Sequence, residues 1–234
     1  MAELPILHSK RAAYDWVARL DALRATYTAA IEADPEKAAR DAEWLDVAVV
    51  YHSLRMKGEE VTRDRAASSP ALAAVRRVRE AAAGGATLTP DLLVELNGLV
   101  DPDRGGKLRE GPPVAAYQGH TAPGPEALGV LLENAADWFT AESFTADFHP
   151  VEQAALALIR ICDLQPFPSN NELTARLAVS LFTLRAGWPP VVIHHELEEE
   201  YRKAILHAMH MDTQPVVDLL ARCVELTYVD IGSQ

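Results

Sequence analysis

What this chain has little of narrows its function before any motif is sought. Basic residues are in deficit, with 22 Lys and Arg against 34 Asp and Glu and a formal charge of −12. That balance opposes a nucleic-acid backbone and an anionic membrane surface unless a local basic stripe overrides it. No stripe of that kind occurs; Arg76, Arg77 and Arg79 read as the solvated face of a helix. Long apolar runs are missing too, none reaching the ~20 uninterrupted apolar residues of a membrane span. The opening "MAELPILHSKRAAYDW" has no charged segment followed by an apolar core. A cytoplasmic protein is therefore expected, with neither nucleic acid nor membrane as a partner. The two cysteines, Cys162 and Cys223, both fall in apolar helical pattern, which predicts two buried free thiols rather than a disulfide or a metal pair. Strand-like alternation is scarce, and nucleophile motifs such as GxSxG are absent.

Helical spacing is what remains. Apolar residues recur as in Trp16, Val17, Leu20, Leu23 and Tyr27, or Leu72, Val75 and Val78, and the 49% hydrophobic content can fill a core. Polar-then-proline pairs mark starts at Asp34-Pro35, Ser69-Pro70 and Thr89-Pro90, with Gln214-Pro215 a looser case; Gly84-Gly85 and Gly187 before Pro189-Pro190 mark stops. The spacing predicts helices at about 10–32, 35–56, 69–83, 89–99, 125–140, 149–163, 170–186, 197–210 and 214–228. "VEQAALALIRICDL" and "LTARLAVSLFTLRAG" are apolar on almost every side, as central helices of a bundle are. The weakest joint is "KGEEVTRDRAASS" at 57–69, dividing an N-terminal helical region, 1–68, from a core, 69–234. One long connection, 97–124, is rich in Gly and Pro and holds a candidate strand, Val114-Ala115-Ala116-Tyr117-Gln118, with a second strand edge near Gly119 to Ala122.

The two central helices meet at "QPFPSNNELTAR", a stiff polar elbow over residues 165–176. Its residues fit a helical hairpin: Ser169 and Glu172 have capping-box spacing, the Pro166 to Pro168 segment sets the entry angle, and Phe167 inserts into the core. A ligand site is the competing reading. "HHELEEE" at 194–200 lacks the second histidine that HExxH requires, Glu199 standing there. His207 and His210 lie at i, i+3 on a C-terminal helix, a spacing that could bind metal with Glu partners but is far commoner among exposed helix histidines, and His149-Pro150 reads as a helix start. No residue set is assigned to a metal.

Residues 149–193, "HPVEQAALALIRICDLQPFPSNNELTARLAVSLFTLRAGWPPVVI", resemble the core of the Fic (Fido) family, whose signature is HxFx(D/E)GNGRxxR between two buried helices. Residues 99–139 resemble the family's flap hairpin and following helix, and the C-terminal "EEEYRKAILHAMHMDTQPVVDLLARCVEL" its closing helices, so the likeness spans roughly 40–228. It implies an all-α Fic-type bundle with a small β-hairpin flap and N-terminal helices. In the family the signature histidine takes a proton from a Ser, Thr or Tyr hydroxyl of a target protein, which then attacks the α-phosphorus of ATP (AMPylation). This chain has Gln165 at that position, a carboxamide without useful basicity. Phe167 is kept. Ser169 replaces the acidic Mg²⁺ ligand, Asn170 a phosphate-loop glycine, Glu172 the next glycine and Leu173 the first arginine, while Asn171 and Arg176 remain. Glu172 brings a carboxylate to the helix end that cradles triphosphate in the family. Arg176 reads as its i+4 partner or as a retained anion site.

The family's inhibitory motif, (S/T)xxxE(G/N), aligns with Ser53 to Gly58 here, but Lys57 holds the glutamate position and is expected to repel Arg176, with Glu59 or Glu60 as alternative acids. The flap, Val114 to Gln118, implies a protein target adding its strand by β-augmentation. Three readings follow: a degenerate Fic protein acting as a pseudoenzyme or binding module, a divergent transferase using another donor or His120 as base, and a helical scaffold. ATP and Mg²⁺ are implied only by the second. Whether the chain is an enzyme, its target and any homo-oligomer stay open at this stage.

Overall fold

The computed structural model describes residues 14–113 and 117–233. Within them lie twelve α-helices: α1 (Asp15–Ala33), α2 (Pro35–Met56), α3 (Arg63–Ala67), α4 (Ala71–Ala83), α5 (Pro90–Val100), α6 (Leu128–Thr140), α7 (Glu142–Asp147), α8 (Pro150–Leu164), α9 (Asn171–Ala178), α10 (Ser180–Arg185), α11 (Glu198–Met209) and α12 (Gln214–Gly232). The expected start signals are used. Asp34 accepts from the Lys37 amide, Thr89 from the Leu92 amide and His149 Nδ1 from the Val151 amide, each followed by proline at the first helical position.

Helix α8 is the hub, packing on α6, α9, α10, α11 and α12. Val151, Ala154, Ala155, Leu158, Ile161 and Cys162 cover several of its faces and are all buried, which is why its sequence shows no polar stripe. Phe167, fully buried as the sequence predicts, seals the end of α8. Helix α2 lies against α4 and α9, and α1 joins α2 to α12.

Four expectations need correction. The helix expected over 170–186 is two, α9 and α10, separated at Val179, and α7 lies in a segment that the spacing left between helices. Described residues 117–124 contain a turn and extended coil but no strand, so the second strand edge near Gly119 is absent; Val114, Ala115 and Ala116 lie outside the described residues. Arg79 is not simply solvated, because it forms an ion pair with the buried Asp46 carboxylate of α2, and Arg77 pairs with Glu95 at 2.7 Å. Hydrophobic spacing cannot register such partners, since they sit on other helices.

Both thiols are buried, as expected, and burial pushes Cys162 and Cys223 up to about 12. At neutral pH neither supplies thiolate. A thiol reagent is expected to label no cysteine in the native protein within minutes and two per chain after guanidinium unfolding; rapid native labelling would show that the core opens.

Candidate functional site

The elbow leaves α8 at Gln165, a non-glycine residue in left-handed backbone geometry (φ 42°, ψ 61°). Such a conformation costs on the order of 1 kcal/mol for most side chains and persists only where neighbours impose it. Two neighbours do so here: the Gln165 amide donates to the Ile161 carbonyl at 2.9 Å, and its own carbonyl accepts from Arg109 Nε at 2.7 Å. The Gln165 side chain is buried and its Oε1 receives no hydrogen bond.

Arg109 is the fastening that the sequence did not reveal. Almost fully buried, it donates to the carbonyls of Gln165, Gly111 (2.7 Å) and Pro123 (2.5 Å), with Leu164 further off at 3.4 Å, while its amide bonds the Pro166 carbonyl. One guanidinium thus joins the middle of the long connection, at Gly111, and its far end, at Pro123, to the elbow. Burial lowers its pKa, and Glu126 partly offsets this. Asn97, fully buried at the end of α5, has a parallel role. Its Nδ2 reaches the Ser169 carbonyl at 3.0 Å and Thr174 Oγ1 at 3.1 Å, and its Oδ1 accepts from the Gly106 amide. Gly105 makes this close approach possible, since a Cβ there would collide with the Asn97 and Asp101 carbonyls.

The elbow's interior is held by Asn171. Its Oδ1 accepts from the Phe167 amide at 2.7 Å and its Nδ2 donates to the Phe167 carbonyl at 2.9 Å. The expected capping box is not formed. Asn170, also left-handed (φ 56°), is the N-cap of α9 and makes no side-chain cap bond. The Ser169 hydroxyl instead donates to Asp101 Oδ2, to which Asn170 Nδ2 also donates at 2.9 Å. A carboxylate accepts more strongly than a backbone amide can donate to a neutral hydroxyl. These bonds hold the Asp101 carboxyl below its usual range, the Ser169 hydroxyl contributing most.

Glu172 is drawn off in the other direction. Its Oε1 accepts from the Tyr117 hydroxyl at 2.8 Å and its Oε2 lies 3.4 Å from Arg176 Nη1. Arg176 is thereby paired at i+4, as one sequence reading has it, and also donates through Nη2 to the Ser53 carbonyl of α2 at 3.0 Å. Burial raises the Tyr117 pKa strongly, with Cys162, Tyr201 and Glu172 adding to it. Lys57 lines the same cleft but turns to Glu59 at 3.1 Å, so Glu59 does not act on Arg176, and Glu60 is exposed. Leu173 is buried beneath the loop. Gly58 takes a positive φ of 85° just past the end of α2.

Two clefts meet at Gln165. The first, about 510 Å³, is lined by the elbow with Lys57, Asp101, Arg104, Tyr117, Arg176 and Arg202, so four cations face Asp101 and Glu172. The second, about 580 Å³, lies between Arg109, His120 and residues 110–113 and 121–125. His120 Nε2 is 3.1 Å from the Asp163 carbonyl and 3.4 Å from its carboxylate. Gln118 sits in the turn before it. Of the metal candidates weighed in the sequence, His207 is exposed and pairs with Asp212 at 3.1 Å, and His210 caps α11.

This arrangement of a buried helical hairpin with a polar loop at one end has relatives. Residues 87–183 match the Fic/DOC family model. A Drosophila willistoni protein named Protein adenylyltransferase Fic is 36% identical over 130 residues, 56% of this chain and 26% of that protein. The chain thus spans about a quarter of the length of the curated relatives it matches. A solved Fic-domain-containing signaling protein from Bacteroides thetaiotaomicron shares the fold at TM-score 0.78 and 21% identity, covering 90% of this chain and 94% of that one. A structure of IbpAFic2 in complex with adenylylated Cdc42 aligns at TM-score 0.57 and 20% identity, covering 80% and 62%. The family match over residues 87–183, the adenylyltransferase relatives and these neighbours together support a Fic/Fido family protein, and the all-α fold is that of the Fic structural neighbours.

Proposed function

We propose that this chain is a degenerate Fic-family protein that no longer transfers AMP to protein hydroxyls and serves as a pseudoenzyme or binding module. The observation that carries this reading is Gln165: at the family's histidine position stands a buried carboxamide, which cannot take up a proton at neutral pH. The rest of the loop supports it. ATP with Mg²⁺, which the family implies, does not fit the donor set at the elbow: Ser169 is a neutral hydroxyl donating to Asp101, and Glu172 lies at the α9 end where phosphate oxygens would approach. What the cleft keeps is its cationic lining and the Asn171 clamp, features suited to holding an anionic group without transforming it. The flap segment, residues 114–118, is where a protein target would dock, as the family resemblance implies.

Calorimetry with ATP and Mg²⁺ is expected to register no heat up to millimolar nucleotide, and the Gln165→His variant is expected to place no labelled AMP on protein. Micromolar ATP affinity, or label transferred by that single variant, would overturn the reading. A specific observation favours one alternative. His120, oriented by Asp163, lines a cleft that also reaches Gln165, an arrangement a divergent transferase could use as general base. Transfer activity abolished by His120→Ala would establish that alternative.

A further inference from the structure

A cluster of imidazoles lies outside the elbow, where α2 meets the segment entering α11. Donor atoms of His52, His194 and Glu196 all lie within 4.8 Å of one another. His195 adds a fourth ring, its Nδ1 standing 2.9 Å from His52 Nδ1 and 3.2 Å from Glu196 Oε2, while His52 Nδ1 is 3.7 Å from the same carboxylate oxygen. Metal bonds of 2.0 to 2.1 Å in tetrahedral array imply donor separations of about 3.3 Å. The measured spacings lie on both sides of that value.

We propose that His52, His194 and Glu196 hold one divalent transition-metal ion of the zinc class, which ties α2 to the 194–197 segment, with His195 as the adjoining donor.

The ligand chemistry selects the metal. Imidazole nitrogen suits zinc, nickel and copper and is a poor ligand for magnesium or calcium, so the site is chemically distinct from the Mg²⁺ that accompanies ATP. Burial selects a built site over a surface coincidence: the His52 side chain is only 6% exposed, and the Tyr51 ring packs nearly perpendicular to both the His52 and His195 rings. His194 Nε2 is buried and makes no hydrogen bond, although the Asp230 carboxylate stands 3.5 Å away. A metal-bound imidazole commonly hands its second nitrogen to a carboxylate, the position Asp230 holds. Without metal, a shared N–H between His52 and His195 keeps the rings together, and the His195 amide also points at His52 Nδ1 from 3.2 Å. The ion replaces that proton-mediated contact.

The consequence reaches the elbow. His52 directly precedes Ser53, whose carbonyl accepts from Arg176. Fixing the His52 turn of α2 therefore fixes the carbonyl that positions Arg176.

Cobalt(II) is the spectroscopic probe and Zn²⁺ the competitor, both added to the full chain. One Co²⁺ per chain should give the visible ligand-field bands of a tetrahedral site, and one equivalent of Zn²⁺ should remove them. A hundredfold excess of Zn²⁺ over its dissociation constant should raise Tm by about 5 °C or more. His194→Asn and Glu196→Gln should each weaken binding by at least about tenfold while leaving the far-UV circular dichroism unchanged. The exposed Glu196 makes its variant safe to fold where His52→Gln is not. A His207→Asn, His210→Asn double variant should bind as the parent does. Absence of cobalt bands with no Zn²⁺-dependent Tm shift, or binding that survives both His194→Asn and Glu196→Gln, would overturn the proposal.

Discussion

Arg109→Met is expected to lower stability by about 3 to 5 kcal/mol, since the carbonyls it satisfies stay buried when their donor is gone. For a chain of this size that corresponds to a Tm roughly 10 °C lower. Methionine nearly conserves the apolar stem, so cavity formation is a minor part of the loss. Arg109→Lys is expected to recover less than half, because an ammonium cannot direct donors at once to Gln165, Gly111 and Pro123 as the planar fork does. Thermal and urea denaturation followed by circular dichroism check both values. A loss under about 1 kcal/mol would mean that water reaches these carbonyls and that the left-handed turn at Gln165 is held by other contacts.

The second large effect is a gain. Glu172→Gln is expected to tighten the binding of inorganic pyrophosphate, measured by calorimetry, by roughly tenfold. A unit negative charge about 5 Å from a phosphate oxygen costs roughly 3 kcal/mol at an effective dielectric near 20. The Glu172 side chain is 39% exposed and paired with Arg176, so solvent and the counter-charge reduce the effect to about 1 to 2 kcal/mol. Glutamine still accepts from the Tyr117 hydroxyl and removes the carboxylate paired with Arg176, while Lys57, Arg104 and Arg202 still line the cleft. Unchanged or weaker binding would show that this carboxylate does not limit anion access to the cleft.

These two residues mark what was legible in the sequence and what was not. The α8–elbow–α9 unit was readable because its signals are local: an all-apolar helix, two prolines, and a family signature compressed into twelve residues. Glu172 is legible for the same reason. Arg109 carries no local signal. Its partners are spread over residues 111, 123, 164 and 165, and a basic residue in a glycine-rich connection reads as solvent-exposed. The spacing of Ser169 and Glu172 fits a capping box, yet Asp101 and Tyr117 compete for them from far along the chain. His52 likewise carries no local signal, since its imidazole neighbour His195 lies 143 residues away and "HHELEEE" fits no protease motif. The small β-hairpin is implied by the family resemblance alone, and described residues 117–124 form no strand.

Asn171 grips both backbone groups of Phe167, while Arg109 and Asn97 hold the carbonyls of Gln165 and Ser169, so the curvature of the loop is set by side chains that bind its main chain. Shape and chemistry are thereby uncoupled at this bend. Positions 165, 169, 170 and 172 can change their cargo of protons and charge while the path of the main chain is preserved, and new reactivity could be written onto the same scaffold without remaking its outline.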